Sequence, residues 1–298
     1  MILRRAFRPH LLALALSIPF AVSCGTKQPV APPVATVSVQ LSRQKAPLGS
    51  PIDVTYKFVV ANDAKITEDN RVMLHVVDAD NELLFTFDHN PPVPTSQWKP
   101  GQTIEYTRTE FIPVYPYVGE AGVQVGLYSI QNQRRQPLAG GDDAGQRAYK
   151  IGTLTLQPQT ENVYVVFKDG WHPAEVAEHN AAVEWQWTKR VGTLAFKNPK
   201  KDCVLFLDVD HPSGVFAETQ QVDVSVAGER VEHFTLAAGE HALKKIPLKA
   251  AQFGSEDTVE VQIAVDKTYV PATLNVANNK DPRELGVRVF HAFVQPAS

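Results

Sequence analysis

From Val37 onward the chain alternates apolar with polar residues, and most of the apolar positions are β-branched or aromatic. Runs such as "IDVTYKFVV" and "TVEVQIAV" show this period of two, which is typical of strands with one buried face. Pro, Gly, Asn or Asp interrupts the alternation roughly every 8 to 15 residues, as turns between short strands require. The sequence therefore predicts an all-β protein.

The alternation falls into two blocks that are separated near Pro158. Seven predicted strands within residues 37–158 favour an immunoglobulin-like sandwich. Eight or nine predicted strands within residues 160–298 favour a jelly-roll or galactose-binding-like sandwich. We therefore expect two consecutive β-sandwich domains, each unfolding cooperatively on its own. Only "PAEVAEHNAAVE" and "PLKAAQFG" allow a turn or two of helix.

The N-terminus has the three parts of a secretory signal. Arg4, Arg5 and Arg8 precede an uncharged stretch over residues 11–22, and small residues follow it. The apolar stretch is well short of the ~20 residues that a membrane-spanning helix needs. The sequence therefore predicts a cleaved signal peptide over residues 1–23 rather than a permanent span.

The tetrapeptide "AVSC", ending at Cys24, resembles the lipobox of bacterial lipoproteins. The resemblance implies cleavage before Cys24, diacylation of its thiol and acylation of its amino group, with palmitate-type chains. Residues 24–36 would then be the lipidated cysteine and a Pro-rich tether. Gly25 stands where many lipoproteins retained in the inner membrane have Asp, which implies the outer membrane, facing the periplasm or the surface. The alternative is an ordinary signal peptide with an incidental cysteine.

Composition narrows the function classes further. The net charge of −3 gives no basic face for a nucleic-acid partner. Cys203 is the other cysteine, so the mature chain forms no internal disulfide, and we expect an inert buried thiol. Hydrolase, P-loop and dinucleotide motifs are missing. The sequence thus predicts a non-enzymatic protein with no cofactor and no metal.

Aromatic clusters supply the candidate ligand-binding residues, which are Trp98, Trp171, His172 and Glu175. Alternation in "EWQWT" places Trp185 and Trp187 on one strand face, which could be a stacking platform for a sugar ring or core packing between the sheets, and the core is favoured. For Trp171, a core position and a stacking platform for a sugar ring are both open. Trp98, in a proline-rich loop, could bind a ligand or plug the end of its domain, and the plug is favoured.

Two short motifs of the second block also suggest specific chemistry. The spacing of His172, Glu175 and His179 would align metal ligands on a helix face, but a proline in the segment favours a solvated loop. "DPRELG", together with "GWHPAE", resembles accessory β-sandwich domains of bacterial glycosyltransferases and cell-surface polysaccharide proteins. In these a D-x-R-x-L-G turn precedes the last strand. Asp281 and Arg283 can close such a turn by a charge-assisted hydrogen bond, without any ligand.

The function that we expect is that of a lipid-anchored bacterial envelope protein whose second domain binds a glycan or docks on an envelope assembly. One alternative is an enzyme acting on envelope polysaccharide, with Asp88, His89, Glu175 and His172 as acid-base candidates. A purely structural spacer is the other alternative.

Overall fold

The computed structural model describes residues 31–215, 218–274 and 280–297. Cys24, with the predicted signal peptide, lies outside the described residues, as does most of the tether. No helix of the described ranges is long and apolar enough to cross a membrane. The prediction of an all-β fold is confirmed, and each strand predicted from the alternation is present.

The first sandwich lies between Ala35 and Gln157 and has its own core. Its strands are β1 Ala35–Leu41, β2 Lys45–Pro47, β3 Pro51–Val60, β4 Asn70–Val77, β5 Leu83–Thr86, β6 Thr103–Phe111, β7 Gly119–Ser129, β8 Leu138–Ala139, β9 Asp142–Asp143 and β10 Tyr149–Gln157.

The strand order confirms an immunoglobulin-like arrangement. One sheet has the order β6-β3-β1-β8, and the other has the order β2-β10-β7-β4-β5 with β9 on β10. If β1, β3 and β6 are named A, B and E, then β4, β7 and β10 are C, F and G of the facing sheet. The short strands β2, β8 and β9 have too little alternation to be recognised in the sequence.

The second sandwich begins after a 3-10 turn at Gln159–Glu161 and surrounds a second core. Its strands are β11 Val165–Phe167, β12 Glu175–Ala177, β13 Asn180–Trp187, β14 Val191–Lys197, β15 Cys203–Asp210, β16 Gln220–Val226, β17 Glu229–Leu236, β18 His241–Leu248, β19 Thr258–Val265 and β20 Arg288–Pro296.

Eight of these strands, β13 to β20, have jelly-roll topology. We call the sheet β12-β13-β20-β15-β18 the front sheet and the sheet β11-β14-β19-β16-β17 the back sheet. Counted from β13, the front sheet has the order 1-8-3-6 and the back sheet has the order 2-7-4-5. The jelly-roll prediction is confirmed.

The front sheet has one core-facing surface and one outer surface. In β15, Leu205, Leu207 and Val209 belong to the core, so the alternate residues Asp208 and Asp210 lie on the outer surface. The neighbouring strand β20 has the same two faces, because it pairs with β15 antiparallel and residue by residue over most of its length.

A β-bulge interrupts this pairing near the start of β20. His291 pairs with Asp208 and Val289 pairs with Val209, so Phe290 has no partner of its own on β15. A bulge of this kind adds one residue to a strand and re-aims a side chain.

The first sandwich contacts the outer surface of the front sheet. Lys245 Nζ on β18 donates to Asp53 Oδ1 at 2.7 Å, and the His291 ring stacks on Phe111 with centroids 4.3 Å apart. The junction is fixed by Asn162, whose Nδ2 donates to a main-chain carbonyl of the first sandwich at 2.7 Å. Part of the front sheet is therefore covered, and another part is left open.

The segment "PAEVAEHNAAVE", for which the sequence allowed a turn or two of helix, forms a hairpin instead. Glu175–Ala177 pairs with β13, from Asn180 to Trp185, around a turn at Glu178 and His179. A helix would bury few apolar side chains here, whereas the hairpin adds an edge strand to the front sheet. The other segment for which a helical turn was allowed, "PLKAAQFG", does contain one, a 3-10 turn at Ala250–Gln252.

Candidate ligand-binding face

Three rings form a row on the open part of the front sheet, and we call Trp185, Phe290 and His241 the aromatic face. They come from β13, β20 and β18. The His241 and Phe290 rings stack with centroids 4.8 Å apart and planes 18° apart. The Trp185 and Phe290 centroids are 6.0 Å apart. The row therefore crosses most of the width of the sheet.

Arg288 packs against two rings of this row. Its guanidinium carbon lies 5.0 Å from the Trp185 ring centroid and 4.9 Å from that of Phe290. Its Nε donates to Asp210 Oδ1 at 2.8 Å, and its Nη2 donates to the other carboxylate oxygen. A bidentate pair fixes the orientation of both groups, so the rings rest on a rigid support.

A second carboxylate, Asp208, lies beside the row. It accepts hydrogen bonds from His241 Nε2 at 2.6 Å and from His291 Nδ1 at 3.2 Å. Both histidine side chains are about half exposed, at 53% and 51%. Hydrogen-bonding groups with fixed positions are thus available at the edge of the aromatic surface.

Trp187 supports the face without belonging to its exposed part. Its side chain is only 6% exposed, and Tyr269 packs edge-to-face against it at 5.9 Å. Burial raises the pKa of the Tyr269 phenol to about 12, so it is neutral at physiological pH. The expected burial of Trp187 is confirmed, but the prediction that it lies between the sheets is wrong. Trp187 faces outward from the front sheet, where its partner on the neighbouring strand is Arg288.

Trp185 is partly exposed through its carbon atoms. Its Nε1 has no exposed area and no hydrogen-bond partner among the residues that the structure describes. The accessible part of the indole is therefore apolar, which suits stacking rather than hydrogen bonding. Trp185 is not the core filler that the sequence predicts.

Trp171 is a packing residue. Its Nε1 donates to the carbonyl of Thr193 at 2.8 Å, and its ring meets Phe167 edge-to-face at 4.6 Å. It packs against the second core, where a Cβ on Gly192 would come within 2.9 Å of the ring. The structure does not make Trp171 an exposed stacking platform, because both its N–H and its ring are used in packing.

His172 and Glu175 take part in a structural cluster with residues far along the chain. His172 Nε2 donates to the carbonyl of Glu284 at 2.7 Å, and Arg283 Nη1 donates to Glu175 Oε1 at 2.7 Å. These bonds secure the "DPRELG" segment against β12. Both side chains are therefore engaged within the protein, and neither lies among the residues of the aromatic face.

The predicted closure of the "DPRELG" turn is confirmed. Arg283 Nε donates to both carboxylate oxygens of Asp281, at 2.9 and 3.0 Å, which raises the pKa of the guanidinium. Gly286 is required by close approach, because a Cβ there would lie 2.4 Å from Thr188 Oγ1.

The candidates in the first sandwich lie elsewhere. Trp98 is 6% exposed, packs on Phe58 at 5.1 Å and donates from Nε1 to a main-chain carbonyl at 2.9 Å. Trp98 thus occupies the plug position within the first sandwich, and its ring is turned into the core. His89 is buried and bonded to Tyr106 at 2.8 Å. Asp88 and His89 thus belong to a different sandwich from His172 and Glu175, and the four do not form one site.

The structure describes no metal-ligand group of three or more residues within the ranges searched. His179 is 92% exposed and lies in the hairpin turn, away from a helical alignment. Burial raises the pKa of the Cys203 thiol to about 11, so this thiol is protonated at neutral pH.

Sequence reasoning missed Phe290, His241 and Arg288. The signal that was available is the run "RVFHAFV", in which aromatic residues occur in both phases of the alternation. That irregularity is what a bulge in the last strand produces.

No family model matches the chain, and no curated protein matches it. A solved structure that resembles it is a family GH115 4-O-methyl-α-glucuronidase, with 15% sequence identity and a TM-score of 0.31, covering 49% of this chain and 19% of that chain. Another is a Bacteroides uniformis β-glucuronidase, with 10% identity and a TM-score of 0.30, covering 87% of this chain and 30% of that chain.

A third is the tandem CBM22 domain of a Paenibacillus barcinonensis protein, with 9% identity and a TM-score of 0.27, covering 88% of this chain and 92% of that chain. The chain spans less than a third of the length of both glucuronidases. These similarities assign neither a family nor an activity, so the function is argued from the site.

Proposed function

We propose that this chain is a lipid-anchored, non-enzymatic protein of the bacterial cell envelope, and that its second sandwich binds a glycan on the aromatic face. The observation that carries the proposal is the row of Trp185, Phe290 and His241 on an open sheet surface. Large aromatic side chains outside a core cost solvation free energy, so a contiguous row of them favours a binding role.

The chemistry of the row suits a sugar. The C–H groups of one side of a pyranose ring are apolar and pack on the face of an aromatic ring, while its hydroxyl groups need hydrogen-bonding partners at the rim. Trp185 and Phe290 offer the apolar surface, and the Asp208 carboxylate offers an acceptor at its edge, since the Nε2 donor of His241 is already bonded to Asp208.

The site is also preorganised. Arg288 is held by Asp210, and Asp208 is held by two histidines, so little side-chain freedom is lost when a ligand binds. A rigid, partly exposed surface on an open sheet fits a chain-like ligand better than a small molecule that needs enclosure.

Titration of the mature full-length protein with envelope polysaccharide fragments and neutral oligosaccharides tests this function. Trp185→Ala is expected to weaken binding roughly tenfold or more, because an aromatic anchor near the centre of a contact commonly carries that much. Tyr164→Ala is the matched control, since Tyr164 is a 54% exposed aromatic residue outside the front sheet. Equal affinity for Trp185→Ala and the wild type would move the site elsewhere, and no glycan binding by the wild type would refute the function.

The lipid anchor has its own experiment. Cys24→Ala should release the chain from the membrane fraction and leave the signal peptide uncleaved, as judged by fractionation and by mass spectrometry of the N-terminus. A Cys24→Ala protein that is fully processed and still membrane-bound would contradict the anchor.

A further inference from the structure

A cleft lies between the two sandwiches, where the first sandwich covers the front sheet. Its volume is about 310 Å³. This lies at the lower end of the roughly 300–1,000 Å³ of small-molecule pockets, which often form at domain interfaces. None of the three residues of the aromatic face lines the cleft, so the two places are chemically separate.

The floor of the cleft is aromatic. Phe206 and Phe293 are direct cross-strand partners on β15 and β20, with ring centroids 6.5 Å apart and planes 67° apart. Phe206 is buried, and Phe293 is partly exposed. The Phe293 ring therefore presents an apolar surface to whatever enters the cleft.

Three charged side chains at the cleft, Lys245, Asp53 and Arg43, are already engaged within the protein. Lys245 Nζ donates to both carboxylate oxygens of Asp53, at 2.7 and 2.9 Å. Arg43 Nη2 donates to Ser50 Oγ at 2.9 Å, and Arg43 Nε is covered by protein and out of a ligand's reach. Although partial burial opposes ionisation, the bonds from Lys245 and a threonine hold the pKa of Asp53 below its usual range.

Two polar side chains of the lining remain uncommitted. Glu161, in the junction, and Gln295, on β20, make no side-chain hydrogen bond within the described part of the chain. Glu161 accepts hydrogen bonds, and Gln295 both donates and accepts them. A ligand that carries several hydroxyl groups would satisfy both.

The lining of the cleft carries charges of both signs. Arg43, Asp53 and Glu161 line it, and Lys245, which lies outside the lining, pairs with Asp53. An anionic ligand would meet the unpaired carboxylate of Glu161 and a cationic ligand would meet the Arg43 guanidinium, so an uncharged ligand fits this lining better.

We propose that this cleft is a second binding site, which takes one uncharged sugar ring that stacks on Phe293 and bonds Gln295 and Glu161 through its hydroxyl groups. The ring is either a free monosaccharide or the end of a glycan chain, since both present the same chemistry. The volume of the cleft suits a single ring, whereas the open aromatic face suits a longer chain.

The test uses the mature full-length protein and saturation-transfer NMR with glucose, galactose, glucuronate and glucosamine, followed by titration with neutral oligosaccharides. The expected result is saturation transfer to a neutral hexose and little transfer to the charged sugars. Glu161→Ala combined with Gln295→Ala should weaken hexose binding roughly tenfold. Glu178→Ala combined with Gln262→Ala is the matched control, because both residues are exposed and remote from the lining.

The outcomes separate the cleft from the aromatic face. If the double variant loses hexose binding while Trp185→Ala retains it, the cleft is the hexose site. Retention of hexose binding by the double variant, absence of hexose binding in the wild type, or a preference for glucuronate would each overturn the proposal. If oligosaccharide binding then depended only on Trp185, the proposed function would stand and the second site would not.

Discussion

The two sandwiches differ in where several of their large aromatic side chains lie. In the first sandwich, Tyr56, Phe58 and Trp98 lie inside the core. The second core is built mainly from Leu, Val and Ile, and Trp185 and Phe290 lie on the outer surface of the front sheet. A ring inside a core contributes to stability and is unavailable to a ligand, whereas a ring outside it is available. This contrast is the reason for proposing that ligand binding resides in the second sandwich.

The largest effect expected from this contrast is on stability. Trp98→Ala should lower the free energy of unfolding by about 3 to 5 kcal/mol, because it removes a buried indole and leaves a cavity. Trp185→Ala should lower it by less than about 1 kcal/mol. Urea denaturation of both variants measures the difference. Similar losses for both would mean that Trp185 is as much a core residue as Trp98.

A smaller loss, about 2 kcal/mol, is expected for Trp171→Ala. The ring packs on the second core, but it is only partly buried, so the loss falls below that of a fully buried tryptophan. Glycan affinity should remain within twofold of the wild type. A stable Trp171→Ala protein with weakened glycan binding would reinstate Trp171 as the stacking residue.

Asp210→Asn is expected to cost about 1 to 2 kcal/mol, because it replaces a bidentate ion pair under the aromatic face by a weaker hydrogen bond. Glycan affinity should fall as well, since Arg288 then no longer holds the rings in one position. Asp223→Asn is a control, because that carboxylate is exposed on the back sheet. Full glycan affinity in Asp210→Asn would show that the support beneath the rings is dispensable.

The smallest effect is expected at the contact between the sandwiches. Lys245→Ala should cost less than about 1 kcal/mol, since both partners of the Asp53 bridge are more than a third exposed. The folded-state pKa of Asp53 is depressed, so the contribution of the bridge is fully present above about pH 4 and is lost as the pH falls through that pKa. The wild type and Lys245→Ala should therefore converge in stability at low pH, and a constant difference from pH 7 to pH 2 would contradict this account.

Alternation alone was enough to predict the longer strands and the two sandwich types, because a strand with one buried face repeats every two residues. It also places Trp185 and Trp187 on one face, as observed, since both contact Arg288. Periodicity does not say which of the two faces is the core side. Which face of β13 is buried depends on the strands that pair with it. This pairing is determined by the assembly of the whole sheet and not by the sequence of β13 alone.

His172 and Glu175 were predicted as ligand-binding residues, but each is engaged by a partner that lies too far along the chain to be predicted from the sequence. Glu175 meets Arg283 across 108 residues, and His172 meets Glu284 across 112. The bond between Asp281 and Arg283 was predictable because the two residues are two positions apart. The hairpin at β12 was missed since its polar sequence suits a helical turn equally well, and only the neighbouring strand decides between them.

The bulge in β20 has a consequence for the length of that strand. If Phe290 were deleted, Val289 would still pair with Val209 and His291 with Asp208, and the ladder would become regular. The hydrogen bonds and the core contacts of β20 therefore require one residue fewer than the chain contains. Phe290 is the surplus residue, and what it adds is a ring on the outer surface between Trp185 and His241. A protein shortened by this one residue should keep its jelly roll and lose the middle of its aromatic row.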